Sequence, residues 1–136
     1  MNKSTFKWLI IAATVTVSVS GWAQESDPGK TEFLSSCAPC HGADGKGNGP
    51  LSAVLKKAPP DLTVLAKKNN GVLPVATVDE IIDGRKSVAA HGSREMPVWG
   101  ERFKRPFIYF SPALVEASVH TRILALVDYL NRIQEK

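Results

Sequence analysis

The clearest pattern of apolar and polar positions lies near the carboxyl end of this 136-residue chain. Seven aliphatic residues recur there at the three- and four-residue spacing of a buried helix face: Val115, Val119, Ile123, Leu126, Val127, Leu130 and Ile133. Ser111 suits the N-cap of such a helix, and Pro112 suits its first turn, where no backbone donor is needed. The pattern therefore predicts a long amphipathic helix that begins after Ser111.

A shorter helical pattern occurs well before it. Gly29, Phe33 and Cys37 recur every four residues, so they share one face of a helix that begins near Asp27. Pro28 is acceptable in the first turn of that helix, since its missing N–H has no partner there. This predicted helix leads directly into the segment that contains both cysteines.

Three further short helices are predicted between these two, over residues 51–57, 61–68 and 78–83. Asp61 is expected to cap the second; Thr77 and Glu80 have the spacing of a capping box for the third, and Gly84 provides its stop. Residues 85–100 show no clear period, which predicts a loop. No stretch alternates convincingly between apolar and polar residues as a half-buried strand does, so the predicted fold class is all-α.

Residues 1–23 have the composition of a secretory signal peptide. They combine two basic residues, an apolar run and two small residues near the expected cleavage point: Lys3, Lys7, residues 8–19, Gly21 and Ala23. The run is shorter than the roughly 18 residues that a spanning helix requires, which favours cleavage over a retained anchor. We expect export to leave residues 24–136 as one domain in the periplasm, without stable membrane insertion.

Charge excludes one class of partner. The net charge of +4 falls to +2 without the leader, which carries two lysines and no acidic residue. A balance this small does not suggest the basic stripe of a nucleic-acid-binding domain. We therefore expect no nucleic-acid partner.

The segment SSCAPCHGADGKGNGP contains both cysteines of the chain. A disulfide between Cys37 and Cys40 would close a very small loop and add little stability. A thioredoxin-like pair needs a βαβ pattern, and a zinc site needs a second ligand pair, for which His91 and His120 lack the spacing. Covalent haem attachment needs only the two thiols and the adjacent ligand His41, and Cys-x-x-Cys-His is its signature. The motif therefore predicts a covalently bound haem.

A haem iron held by His41 has one more axial position, and the ligand there sets its potential. The chain has two methionines, and Met1 is lost with the leader, which leaves Met96. A lone methionine in a polar loop is poorly placed for core packing, its commonest use, so ligation is favoured. His91, five residues upstream in the same loop, is the rival ligand.

Four segments, CAPCHGADGKGNGP, PPDLT, IIDGR and REMPVWG, resemble the class I monohaem cytochromes c of the bacterial periplasm. The resemblance extends over nearly all of residues 24–136. It implies a cytochrome c fold, in which three to five short helices wrap one covalently bound haem c and the first and last helices cross. Residues of both helices match the family pattern at that crossing: Gly29, Phe33 and Cys37 in the first, Leu126 and Tyr129 in the last.

The resemblance also implies roles for particular residues. Cys37 and Cys40 would hold the haem covalently, and His41 and Met96 would be the axial ligands of its iron. The family thus agrees with the ligands that the motif and the methionine count indicate.

Weaker correspondences concern the surroundings of the haem. The carbonyl group of Pro50 would accept a hydrogen bond from the proximal histidine and fix its ring. Trp99 and Arg85 match residues that contact haem propionates. Residues 101–111 depart from the family pattern, since they form a longer link between the ligand loop and the last helix than is usual.

These features imply a one-electron carrier rather than an enzyme, because an iron with both axial positions filled has no open site for substrate or dioxygen. Two alternatives remain open. One is a haem-bearing, electron-accepting subunit of a periplasmic dehydrogenase or oxidase complex, and the other is a gas sensor or haem enzyme with a labile sixth ligand. The expected partners are redox proteins, whose identity the sequence does not give.

Overall fold

Helices and turns make up the part of the chain that the computed structural model describes, namely residues 26–86, 96–107 and 109–136. Those residues contain no strand, which confirms the predicted all-α class. The expected signal peptide, residues 1–23, and the rival ligand His91 lie outside the described residues. Within the described part, no helix is both long enough and apolar enough to cross a membrane.

The helices begin with one continuous segment that ends at the histidine of the motif. They are α1 (Pro28–Glu32), α2 (Ala38–His41), α3 (Val75–Asp83), α4 (Trp99–Lys104) and α5 (Pro112–Arg132). A π-helical turn, Phe33–Cys37, joins α1 to α2, and single 3-10 turns occupy Ser52–Val54, Lys67–Asn69 and Arg105–Phe107. Such π turns inside a helix are frequent at functional sites, and here the turn carries the first cysteine.

The predicted starts of α1 and α5 are confirmed. The Asp27 side chain accepts a hydrogen bond from the backbone nitrogen of Lys30 at 3.0 Å, and Pro28 takes the first helical position. Pro112 takes the same position in α5, although the side chain of Ser111 makes no capping hydrogen bond. The extended backbone of Ser111 and the fixed φ angle of the proline therefore define this start.

The apolar stripe of α5 forms the centre of the core. Its five middle members are buried, namely Val119, Ile123, Leu126, Val127 and Leu130, while Val115 and Ile133 at its ends are half-buried. The stripe packs against Phe33 from the first helical segment, Ile82 from α3 and Phe103 from α4. The first helical segment, α3 and α4 therefore all pack against α5.

α1 crosses α5 at very short range. A Cβ atom built on Gly29 would lie 2.0 Å from the carbonyl oxygen of Ala125 and 2.9 Å from Cβ of Tyr129, so only glycine fits without a shift of the backbone. Next to this contact, the ring centroids of Phe33 and Tyr129 are 5.2 Å apart, and Leu126 is fully buried. The predicted crossing of the first and last helices is confirmed.

A half-buried ion pair holds the same two helices together. Nη2 of Arg122 lies 2.6 Å from Oε2 of Glu32, and its Nε lies 3.0 Å from the same oxygen. Ser36 donates to the other carboxylate oxygen at 2.6 Å, and the guanidinium group stacks over the ring of Phe103 at 4.0 Å. Arg122 thus connects α1, α4 and α5 immediately beside the cysteine motif.

Two of the predicted short helices are not α-helices in the structure. Residues 51–57 contain only the 3-10 turn Ser52–Val54, and residues 61–68 form successive turns that end in Lys67–Asn69. Asp61 does cap a local structure, since its carboxylate accepts from the backbone nitrogen of Thr63 at 2.8 Å and from its hydroxyl at 2.6 Å. Such side-chain bonds compete with helix formation, and they favour a turn here.

The capping box proposed for α3 is also wrong. The helix begins at Val75, with Pro74 as its N-cap, so Thr77 lies inside the helix. The predicted end is correct, because Gly84 closes the helix with φ of 92° and its N–H bonds to the carbonyl of Glu80. A threonine followed three residues later by a glutamate also fits a helix interior, so the pattern alone did not fix the start.

The segment after the ligand loop is helical where a loop or an irregular link was expected. Residues 96–98 are irregular as predicted, whereas α4 begins at Trp99 and the 3-10 turn Arg105–Phe107 follows it directly. Residues 87–95 of the predicted loop lie outside the described residues. The long link between the loop and α5 therefore provides one extra short helix.

The last residues of the chain hold the turn region 62–66 in place. Oε1 of Gln134 accepts from the backbone nitrogen of Ala66 at 2.8 Å, and its Nε2 donates to the carbonyl of Leu62 at 2.8 Å. The backbone nitrogen of Glu135 donates to the carbonyl of Thr63 at 2.7 Å. These bonds satisfy polar groups of a segment that has no regular structure of its own.

Replacing Gly29 with valine should lower the free energy of unfolding by about 1–3 kcal/mol or more, because the first atoms met are backbone and cannot rotate away. Chemical denaturation measures this change, and the haem spectrum of the folded fraction should remain unaltered. Ala117→Val, at an exposed position of α5, controls for the helix propensity of valine. A Gly29→Val protein of full stability would rule out the close crossing.

Candidate haem-binding site

The cysteine motif lies at the end of the first helical segment, where α2 holds Cys40 and His41 in one turn and Cys37 precedes it. Both thiols are half-buried, and the His41 ring is buried with 7 % of its surface exposed. The two cysteines and the histidine all line the same surface cleft. The helical turn therefore presents the three groups of the motif to one cavity.

The glycine-rich loop that follows the motif folds back onto it. Backbone nitrogens of the loop donate to carbonyl groups of α2: Gly47 to His41 at 2.7 Å, Gly49 to Cys40 at 3.1 Å and Leu51 to Pro39 at 2.9 Å. These carbonyls lie at the end of a helix and have no partner within it. The loop thus satisfies them and fixes the backbone of the motif.

Glycine is required where this loop approaches other backbone most closely. A Cβ atom at Gly49 would lie 2.5 Å from the carbonyl oxygen of Pro39, and one at Gly47, whose φ is 82°, would lie 2.3 Å from that of Pro59. The second approach brings the paired prolines 59 and 60 against the motif. The loop therefore determines which proline faces the histidine.

The carbonyl that faces His41 belongs to Pro60, and not to Pro50 as the family resemblance suggested. Nδ1 of His41 lies 3.3 Å from the carbonyl oxygen of Pro60, whereas Pro50 is exposed. A carbonyl oxygen only accepts, so this bond places the proton on Nδ1 and the metal-binding lone pair on Nε2. Pro60 thereby sets the tautomer and the orientation of the candidate ligand.

An apolar cleft of about 280 Å³ opens beside the motif. Ten of its lining residues are apolar: Phe33, Pro60, Leu62, Leu65, Pro74, Val78, Ile81, Ile82, Leu126 and Leu130. Cys37, His41, Thr77 and Met96 complete the lining. Its volume is close to the lower end of the range for cofactor and ligand pockets, and few polar groups face into it.

Met96 lines this cleft and also the smaller one that contains Cys40 and Trp99. Its side chain is half-buried and packs against the hydrophobic core. The structure thus brings together Cys37, His41 and Met96, which border both clefts. An imidazole and a thioether facing one apolar cavity form a donor set that suits a haem iron.

Burial affects the first thiol of the motif strongly. Desolvation raises the pKa of Cys37 to about 12, and the nearby carboxylate of Glu32 and the second thiol, Cys40, add to the effect. The site therefore disfavours a negative charge at this sulfur. A thioether carries no charge, as the protonated thiol does not, so covalent attachment of a haem at Cys37 is compatible with this environment.

Trp99 and Arg85 occupy different environments. Trp99 is half-buried, lines the smaller cleft and lies 5.8 Å from the ring of Phe103, so it belongs to the site. Arg85 is exposed, lines neither cleft and forms ion pairs with Asp79 and Asp83 of α3. The expectation that Arg85 contacts the haem is therefore not supported by its position.

Two functional contacts were missed by sequence reasoning. Pro60 was part of a matched segment, PPDLT, but nothing in the sequence distinguishes its carbonyl from that of Pro50. The pairing of Glu32 with Arg122 supports the π turn, yet the two residues are 90 positions apart and give no local signal. Both contacts depend on how distant segments pack.

The family model for cytochrome c matches residues 26–105, which is more than half of the chain. The chain therefore belongs to the cytochrome c family, as a small monohaem c-type cytochrome. No curated protein and no solved structure matches it significantly. Members of this family bind haem c covalently, generally carry electrons and typically work outside the cytoplasm.

Haem fits the residues present. Cys37 and Cys40 have the spacing of the family motif and both line the smaller cleft, so they would hold the haem covalently. His41 and Met96 would supply nitrogen and sulfur to its iron, and the apolar walls would exclude water. When bound, the group supplies a one-electron couple between ferric and ferrous iron.

Acid–acetone treatment of the holoprotein should leave the haem on the polypeptide, and the alkaline pyridine spectrum should be of the c type. The double variant Cys37→Ala with Cys40→Ala should yield mostly unfolded apoprotein, because an apolar cleft of this size loses the group that fills it. Met96→Ala is the matched control, since it removes a cleft residue but keeps both thiols. Haem that is extracted freely from the wild-type protein would contradict covalent attachment.

Proposed function

We propose that this protein is a periplasmic one-electron carrier with a single haem c, attached through Cys37 and Cys40 and ligated by His41 and Met96. The observation that carries the proposal is that both candidate axial ligands line the same apolar cleft as Cys37. Residues 1–23 would direct export and be removed. The redox partners would be other proteins of the same compartment.

Each residue of the site has a defined task in this proposal. Cys37 and Cys40 fix the position of the cofactor, so that transfer of an electron requires no movement of the chain. The hydrogen bond from Nδ1 of His41 to Pro60 keeps the ring in one orientation and increases its basicity as a ligand. These constraints keep the ligand set the same in both oxidation states.

Met96 distinguishes a carrier from a haem enzyme. Its thioether is neutral and soft, so it favours the ferrous state and raises the potential relative to a second histidine. It would also occupy the position at which dioxygen, carbon monoxide or a substrate would bind. The apolar walls around it limit the access of water, which supports a single, reversible electron transfer in place of bond chemistry.

Met96→Ala should abolish the weak far-red absorption band that methionine sulfur gives to the ferric protein, and it should lower the potential. The reduction potential of the variant should stay within the ~0.8 V range over which axial ligands set the potential of a haem. The reduced variant should bind carbon monoxide, which the wild type should bind poorly. Absorption spectroscopy and a redox titration measure these changes.

His91→Ala and His120→Ala are the matched controls, because both remove an imidazole that the proposal does not use. Both should keep the far-red band. If His91→Ala loses the band while Met96→Ala retains it, the ligand assignment is wrong. Ready binding of carbon monoxide by the wild-type protein would favour a sensor or an enzyme.

A further inference from the structure

The connection between α4 and α5 exposes a group of large apolar side chains. Tyr109, Phe110 and Leu114 form this group, which we call the aromatic projection, and the half-buried ring of Phe107 packs against it through Phe110. Tyr109 is 93 % exposed, Phe110 58 % and Leu114 60 %, while the rings of Phe107 and Phe110 meet edge to face at 5.9 Å. Contiguous exposed apolar surface of this kind marks an interaction site more often than scattered single residues do.

The backbone beneath these side chains is ordered by local bonds. The N–H of Phe110 donates to the carbonyl of Phe107 at 2.9 Å, and α5 begins two residues later at Pro112. An exposure of 93 % means that Tyr109 contacts almost nothing else in the protein. The ring of Tyr109 therefore extends into solvent.

Positive charge lies next to the aromatic projection. Lys104 is engaged by Glu101 at 3.1 Å and Glu116 at 3.6 Å. Arg102 and Arg105 are exposed and have no acidic partner among the ion pairs of the described residues, although Arg102 also stacks on Trp99 at 5.1 Å. Three basic residues, Arg102, Lys104 and Arg105, and two acidic residues, Glu101 and Glu116, give this region a net charge of +1. The two basic residues without an acidic partner are both arginines.

We propose that the aromatic projection docks this protein onto the surface of a bilayer that contains anionic phospholipid. Aromatic side chains prefer the boundary between headgroups and acyl chains, since their rings are amphipathic. Arg102 and Arg105 complement the lipid phosphates, and basic residues beside an apolar face are typical of interfacial anchors. The proposal goes beyond electron transfer, which requires no lipid.

A bilayer fits this surface better than a protein partner does. The exposed rings come from one short segment and extend outward, so they can enter a soft interface without a complementary pocket. A protein partner would have to supply a well-packed pocket for Tyr109. The adjacent arginines therefore favour phosphate headgroups.

Docking would also orient the candidate haem site. α4 begins at Trp99, which lines the smaller cleft, and its six residues lead to the aromatic projection. Six helical residues span about 9 Å. The cleft would therefore be held close to the headgroups, in reach of a membrane-bound electron donor or acceptor.

Sedimentation with vesicles tests the proposal on holoprotein purified from the periplasmic fraction. We expect binding to vesicles of phosphatidylcholine mixed equally with phosphatidylglycerol, and little binding to phosphatidylcholine alone. Tyr109→Ser with Phe110→Ser should weaken the partition coefficient about tenfold, because two exposed rings no longer enter the interface. Arg105→Gln should weaken it about fivefold, and added salt should weaken the wild type similarly.

Val72→Ser and Lys67→Gln are the matched controls, since each changes one exposed residue of the same kind elsewhere on the surface. Neither should alter the partition coefficient, and the haem spectrum of every variant should match that of the wild type. Equal losses from Lys67→Gln and Arg105→Gln would show general attraction of a basic protein and overturn the proposal. Absence of vesicle binding, or binding unaffected by the ring substitutions, would overturn it as well.

A protein partner has its own signature in the same experiment. If the ring substitutions leave vesicle binding unchanged but slow electron transfer to isolated membranes, the aromatic projection binds a membrane protein and the lipid proposal is wrong. None of these outcomes depends on the axial ligand of the iron. Failure of the lipid proposal therefore leaves the carrier proposal to its own test.

Discussion

The position of the candidate site depends on one contact between backbones, that of Gly29 with the carbonyl group of Ala125. α1 continues without interruption through the π turn to His41, so the place where α1 meets α5 also sets the place of the motif. The same helix α5 supplies Leu126 and Leu130 to the wall of the apolar cleft. A displacement of a few tenths of an ångström at Gly29 would therefore move the ligand and the wall together.

Features with strong local signals were predictable from the sequence. The end of α3 at Gly84 and the start of α5 at Pro112 follow from backbone preferences that neighbouring residues hardly alter. The four-residue spacing from Gly29 to Cys37 predicted a shared helix face, and the family resemblance added the expectation that this face crosses the last helix. Cys37, His41 and Met96 line one cleft. This grouping agrees with the sequence motif, because few residue types can attach a haem or bind its iron.

Features that depend on the path of the chain through space were not predictable. The choice of Pro60 over Pro50 follows from the path of the loop after His41, whose glycines at positions 42, 45 and 47 adopt positive φ angles. Arg85 follows the end of α3 and pairs with two acidic residues of that helix, Asp79 and Asp83, a pairing that the family resemblance did not indicate. The start of α3 was also not predictable from Thr77, since the capping-box pattern of a helix start also fits a helix interior.

The separation of paired residues along the chain has a consequence for the order of folding. The ion pairs of Arg122 with Glu32 and of Arg132 with Asp27 join residues 90 and 105 positions apart, so neither pair forms before α5 is available to the first helix. A chain that is exported from its amino end would release Cys37 and Cys40 long before α5 emerges. Under the proposed export, both thiols would therefore be accessible for haem attachment before the last helix closes over the first.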